Sequence, residues 1–133
     1  MRETLFRGKR TYNGEWVEGY YCRAFRWTGD EEPQPAIQES GCFMFRLVDP
    51  STIGQYTGLT DKNGEEIFEG DIVEGPDFDE EDGYGVIEWD EESARFTISG
   101  NGLTVDFDNY WGRDFMVIGN VTDNPELLEV QDG

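Results

Sequence analysis

Apart from the C-terminal end, no ten-residue stretch of this chain repeats apolar side chains at helical spacing. Short apolar runs cut by glycine-rich turns take the place of helices, and this limits the chain to β architectures. Leu103, Val105 and Phe107 alternate with Thr104, Asp106 and Asp108, the two-residue period of a half-buried strand. Ala94, Phe96 and Ile98 alternate in the same way with Arg95, Thr97 and Ser99. Turns at Glu91 to Ser93 and at Gly100-Asn101-Gly102 bound that run. Tyr84 to Asp90 reads as a strand with Ile87 and Trp89 on one face. Phe115 to Val121 is apolar on both faces at first, the pattern of a central strand.

The N-terminal part follows the same logic. Asn13-Gly14 joins Lys9–Tyr12 to the aromatic run from Trp16 to Trp27, and both residues tolerate the positive φ of a type I′ hairpin turn. Gly19 marks a bulge or bend. Thr28 to Gly41 carries two prolines and the acidic run Asp30-Glu31-Glu32, and reads as a long exposed loop. Cys42 to Val48 returns to a strand, and Asp49-Pro50-Ser51 turns the chain. Pro76 to Gly85 is a second, acidic loop. At the end, Asn124-Pro125-Glu126 places a polar cap, then proline and an acid in a first turn, predicting one short helix. The expected fold is mostly β: an N-terminal antiparallel sheet or hairpin, a C-terminal small β-barrel (SH3-like or related), and a short C-terminal helix. At 133 residues this is one domain, with lobes over residues 1–54 and 55–133.

Charge narrows the partners. The formal net charge is −20. Met1 to Arg26 hold six basic and three acidic residues, whereas the remainder holds four basic and twenty-seven acidic. Fifteen of the thirty acids lie between Asp61 and Glu92, where Lys62 is the only base. Direct nucleic-acid binding is not expected, because phosphate contacts need lysines and arginines that release counterions. The basic N-terminal segment is instead matched to meet the acidic part, within one chain or between copies. Cys22 and Cys42 lack metal-ligand spacing; one disulfide between them is the alternative to the first reading, packed thiols of a reduced, cytoplasmic chain. No apolar run reaches membrane-spanning length, so no membrane partner is expected.

Catalytic equipment is sparse. There is no histidine, which removes the commonest general base and most catalytic zinc sites. Gly83-Tyr84-Gly85 and Gly100-Asn101-Gly102 lack the strand–loop–helix context of a phosphate-binding loop. Asp77-Phe78-Asp79-Glu80-Glu81-Asp82-Gly83 is the nearest thing to a calcium loop. With Gly83 at the sharp turn, however, Phe78 would occupy the first ligand position. The expectation is therefore no enzyme, no metal and no cofactor. Carboxylate-based or metal-dependent hydrolysis is kept as a third reading, because pairs of acids do acid/base work without histidine. Among the aromatics, Tyr110 and Trp111, in the loop-like Asp108-Asn109-Tyr110-Trp111-Gly112, are the candidate protein-binding pair.

One stretch is distinctive. Gln55-Tyr56-Thr57-Gly58-Leu59, Asp61-Lys62-Asn63-Gly64 and Ile67-Phe68-Glu69-Gly70-Asp71-Ile72-Val73 resemble the signature of the YopX family. The opening Phe6-Arg7-Gly8-Lys9 with Asn13-Gly14-Glu15-Trp16, and the closing Gly119-Asn120 with Asn124-Pro125-Glu126-Leu127-Leu128, are similar to that family's two ends. The loops at Thr28 to Gly41 and Pro76 to Gly85 carry no such pattern. The resemblance implies a mostly-β, homo-oligomeric accessory protein of phages and prophages, with no biochemical role attached; the leading expectation set beside it is binding of a host or phage protein in the bacterial host cytoplasm. It transfers no catalytic residue. Gln55, Tyr56, Thr57, Gly58, Asp61, Asn63, Gly64, Glu69, Gly70 and Asp71 come over as signature only. The Asn63-Gly64 turn and the Glu69-Gly70-Asp71 bend read first as scaffold, with carboxylates available to backbone N–H groups. The alternative to a protein-binding accessory protein is an acidic decoy, whose carboxylates imitate a DNA backbone and occupy a host nuclease or restriction factor.

Overall fold

The alternating runs become strands, and the pairings among them are antiparallel. The computed structural model of the chain describes residues 5–24, 32, 34–39, 45–76, 78, 83–100, 102–107 and 112–129. Two compact units divide the chain, Met1–Tyr56 and Thr57–Gly133. The expected mostly-β chain with a short terminal helix is what forms, and its strands lie in two antiparallel sheets.

In the first unit, β1 (Phe6–Lys9) and β2 (Trp16–Ala24) form the expected hairpin, with Lys9 opposite Trp16 and Phe6 opposite Gly19. The turn differs from expectation. Of Asn13 and Gly14 only the glycine takes positive φ, at 73°, and the Gly14 N–H donates to the Arg10 carbonyl at 2.9 Å. The loop therefore spans Thr11 to Gly14, because the Asn13 side chain accepts the Glu15 N–H at 3.0 Å and sets a local turn of its own.

The larger difference lies in the segment read as an exposed loop. Gln34–Gln38 is β3, hydrogen-bonded between β2 and β4 (Phe45–Leu47), with Ala36 and Ile37 fully buried. Proline argues against an interior strand because it lacks a ladder donor. Here Pro35 sits near the strand's start, opposite Arg23, and its carbonyl accepts the Val48 N–H at 3.1 Å. The ladder then returns on itself. Arg10 bridges Val48, the Thr11 N–H donates to the Leu47 carbonyl, and the Asp49 N–H donates to the Lys9 carbonyl. Val17, Ile37 and Val48 form the core inside this circuit, with Phe6 and Ile53 against them. Asp49 caps the short 3-10 helix Pro50–Thr52 by accepting the Ser51 N–H at 3.0 Å.

The strand β5 (Gly54–Thr60) pairs with β1 through Gly54 and Gln55, crosses the division after Tyr56, and pairs with β6 (Glu66–Phe68). Beyond it, β7 (Asp71–Glu74), β8 (Gly85–Asp90), β9 (Arg95–Gly100), β10 (Leu103–Asp106) and β11 (Met116–Asn120) make a sheet ordered β10-β9-β8-β7-β11. The strand read as central, β11, thus stands at one end of that order. Its open edge is taken by the Asp61 turn, through the Val117 N–H and the Phe115 carbonyl. The chain turns through Glu91–Ala94, where the Asp90 carboxylate accepts the Glu92 N–H and the Ser93 hydroxyl. Ala94, read as the first strand residue, lies in this turn at φ 53°. After β11 the Asn124 side chain accepts the Asn120 N–H at 3.2 Å, and the helix α1 (Glu126–Glu129) follows.

The second unit's core is Ile67, Val73, Phe78, Ile87, Ile98, Phe107 and Phe115. Phe78 is the member no pattern announced. It comes from the acidic segment after Pro76, yet it is fully buried, and Gly75 and Phe78 exchange backbone hydrogen bonds at 2.6 and 2.9 Å. Space for its ring depends on two glycines. A Cβ on Gly85 or Gly100 would come within 3.1 Å of Phe78, and closer still to Ile98 or the Tyr84 carbonyl. Phe78→Ala is expected to destabilise the chain by about 3–5 kcal/mol, read from urea unfolding, because the fixed glycines leave little with which to refill the cavity.

Candidate functional site

The signature stretch is built from side chains that bond backbone. Thr57 is buried; its hydroxyl donates to the Ile67 carbonyl at 2.8 Å and accepts the Leu59 N–H at 3.2 Å, tying β5 to β6. Gly58, Gly64 and Gly70 all take positive φ. Asp71 is buried and accepts the Phe68 N–H at 2.8 Å, which closes the Glu69-Gly70 bend. Gly70 donates its N–H to the Ile87 carbonyl and accepts the Val121 N–H on its own carbonyl, so this bend holds β8 and the end of β11. Gln55 and Tyr56 belong to the first unit, where Gln55 faces Phe6 and the Tyr56 N–H donates to the Leu5 carbonyl. Asn63 is exposed at the tip of the turn.

Asp61 is the centre of the arrangement and is only 4% exposed. Its Oδ1 accepts the N–H groups of Asn63 and Glu65 at 2.8 and 2.9 Å. Its Oδ2 accepts the Val117 N–H at 2.9 Å, and next to it the Lys62 N–H donates to the Phe115 carbonyl. The turn therefore covers the side of β11 that β7 leaves open, which is how an edge strand is protected. Burial opposes ionisation of Asp61, but the N–H donors of Val117, Glu65, Asn63 and Gly64 outweigh it and hold the carboxyl below its ordinary value. Both carboxylate oxygens are thus engaged by backbone N–H groups inside a buried turn, the setting of a structural acid. The buried carboxylates among the described residues, Asp61 and Asp71, are both parts of the scaffold.

An accessible surface lies instead on the first unit. Strand register aligns Tyr20, Gln38 and Phe45 in one row across β2, β3 and β4. Tyr20 is 46% and Phe45 49% exposed, an uncommon display for two large aromatics flanking one polar side chain. The next row is Cys22, Ala36 and Leu47, where the Cys22 thiol donates to the Ala36 carbonyl at 3.6 Å and burial pushes its pKa up. Along β2 the same face carries Trp16, with the Arg7 guanidinium 4.8 Å and the Lys9 ammonium 5.5 Å from its ring centroid. A groove of about 250 Å³ opens nearby, lined by Thr11, Gln34, Pro35, Leu47, Val48 and Pro50.

Tyr110 and Trp111 lie outside the described residues, as do Cys42 and all the acids between Asp77 and Asp82. Among the described residues, no group of three or more Cys, Asp or Glu side chains is placed to hold a metal ion, and no helix is long and apolar enough to cross a membrane. The Tyr20–Phe45 row had no signal in the sequence. Its alignment depends on β3, which two prolines disguise.

These features define an antiparallel β protein of two units whose most distinctive residues are structural. The family model of the YopX protein matches residues 5–129, and the chain belongs to the YopX family. Among solved structures it is similar to protein EF1440 from Enterococcus faecalis, at 28% identity and a TM-score of 0.55, over 96% of this chain and 99% of that one. No curated protein matches the chain.

Asp61→Asn is expected to lower stability near neutral pH by about 2–3 kcal/mol, since one amide oxygen replaces a carboxylate holding buried donors. The folded-state pKa is depressed, so the contribution is complete above the ordinary aspartate value of 3.8 and is lost as pH falls through the folded value. Urea midpoints of the two proteins should therefore converge in acid.

Proposed function

We propose that this chain is a non-enzymatic, self-associating accessory protein of a phage or prophage that docks a second protein, of host or phage origin, in the bacterial cytoplasm. The observation that carries this reading is the exposed row Tyr20–Gln38–Phe45, continued along β2 by Trp16 with its two cations. Large aromatics beside arginine are the side chains that anchor protein interfaces, because they bury much area at small entropic cost. The signature supports the same reading from the other side. Its buried carboxylates bond backbone N–H groups, so these residues argue for a scaffold rather than a reaction centre.

A second reading draws on charge. Residues 1–56 hold seven basic and eight acidic residues, a net of −1, while residues 57–133 hold three basic and twenty-two acidic, a net of −19. One unit thus carries nearly all the net charge, as a decoy that displaces DNA from a basic nuclease requires.

Light scattering at low and high salt tests the first reading. The wild type should exceed the mass of one chain, and the double variant Tyr20→Ala, Phe45→Ala should lose association at an unchanged melting temperature. A wild-type monomer at both salts would overturn the assembly. For the second reading, the full chain is titrated into a complex of labelled duplex DNA with a basic nuclease. Displacement at low salt that fades at high salt is expected of a decoy, and no displacement at either salt rules it out.

A further inference from the structure

The same tripeptide occurs twice, as Asn13-Gly14-Glu15 and as Asn63-Gly64-Glu65. In both, the glycine has positive φ, 73° and 84°, and the asparagine lies exposed in a hairpin loop. An asparagine followed by glycine is open to one intramolecular reaction. The glycine nitrogen, having given its proton to water or hydroxide, attacks the asparagine Cγ. An N–C bond forms, the Cγ–NH2 bond breaks and ammonia leaves. Water then opens the cyclic imide at one carbonyl or the other, leaving aspartate or isoaspartate. The balance is one water consumed and one ammonia released, with no change of oxidation state.

The two loops treat that reaction oppositely. At the first, the Glu15 N–H donates to the Asn13 Oδ1 at 3.0 Å. This bond folds the side-chain amide forward over the Gly14 peptide, which shortens the search for an attacking geometry. It also puts a donor on the oxygen that gains negative charge when Cγ is attacked, a one-donor oxyanion site. The Gly14 N–H is itself held by the Arg10 carbonyl at 2.9 Å, and the loop is closed by the Arg10 N–H on the Glu15 carbonyl at 2.9 Å and the Thr11 N–H on the Leu47 carbonyl at 3.0 Å, but none of these bonds competes for the Asn13 side-chain amide.

At the second, the equivalent donor is spent elsewhere. The Glu65 N–H goes to the Asp61 Oδ1 at 2.9 Å, the Asn63 N–H goes to the same oxygen at 2.8 Å, and the Gly64 N–H goes to the Asp61 carbonyl at 3.0 Å. Releasing the glycine nitrogen there means opening a turn fastened to β11 through Val117. The Asp61 carboxylate also stands beside the atoms on which a second negative charge would have to form, which raises the barrier further.

We propose that Asn13 is a self-modifying site, converted through a succinimide to aspartate and isoaspartate, and that Asp61 protects Asn63 from the same reaction. Conversion adds one negative charge to the loop that carries Arg10, on the less acidic of the two units. The full chain is incubated in mildly alkaline buffer, natively and in concentrated urea, and the two peptides are followed by mass spectrometry for the gain of an acid and of isoaspartate. In the native protein Asn13 should convert about fivefold faster than Asn63 or more, an effect smaller than that of a buried oxyanion donor because this loop is wet. In urea the two rates should agree within about twofold, since the tripeptides are the same and no turn holds either one. Native rates that are equal or reversed, a ratio that survives in urea, or an Asn13 slower when folded than when unfolded would each overturn the proposal.

Discussion

A single carboxylate organises the second unit. Asp61 must lose water to be where it is, and only a full set of N–H donors makes that tolerable. Those donors come from its own turn and from Val117, fifty-six residues further along the chain. The bond to Val117 is what makes the turn more than local. It converts a hairpin tip into the cover for β11, which is otherwise paired only with β7 in the order of the sheet. The Gly70 bend repeats the device a few residues on, by holding Ile87 and Val121 with backbone alone. The most recognisable stretch of the chain is therefore its most structural one.

The acids thus divide into two populations. A few, such as Asp61 and Asp71, are inside and belong to the hydrogen-bond framework. Others stay at the surface and pair only loosely with the few available bases. Arg95 with Asp106 is such a contact, with both side chains about two-fifths exposed, and pairs of that kind contribute little to stability. With twenty-two acids in one unit and three bases to meet them, that unit carries a repulsive field which its core must outweigh. Fully buried Phe78, Phe107 and Phe115 supply part of that core. Phe78 is anchored from within the acidic segment itself, so the burial of one ring fixes the start of a stretch whose composition alone reads as solvated.

Much of the fold was legible in the sequence. The alternations at Phe96–Ser99 and Leu103–Asp106 are strands, the turn residues fall at turns, and the proline-led terminal helix forms. The failures have definite causes. Two prolines hid β3, because a rule about ladder donors does not see that Pro35 occupies a position near a strand's start. The apolar run of β11 suggests a centre, since apolar residues on both faces report burial of the faces and not whether a second strand pairs with the free edge. Alternation places Ala94 in a strand because it continues into a turn whose left-handed residue is alanine. The exposed row on the first unit was hidden for the first of these reasons: without β3 there is no register to bring Tyr20 and Phe45 to the same face.

By itself the sequence determined the class of the fold, the family, the positions of most turns, and the absence of histidine chemistry. All of these depend on residues close together in the chain or on composition. Tertiary structure decided what Asp61 bonds, which edge it covers, where Phe78 goes, and which aromatics line up. Apart from the bonds Asp61 makes inside its own turn, each of those is a contact between distant segments, and its energy depends on burial and register that local patterns do not encode. The two Asn-Gly-Glu tripeptides make the distinction plain, for only the fold sends the glutamate N–H to asparagine in one loop and to Asp61 in the other.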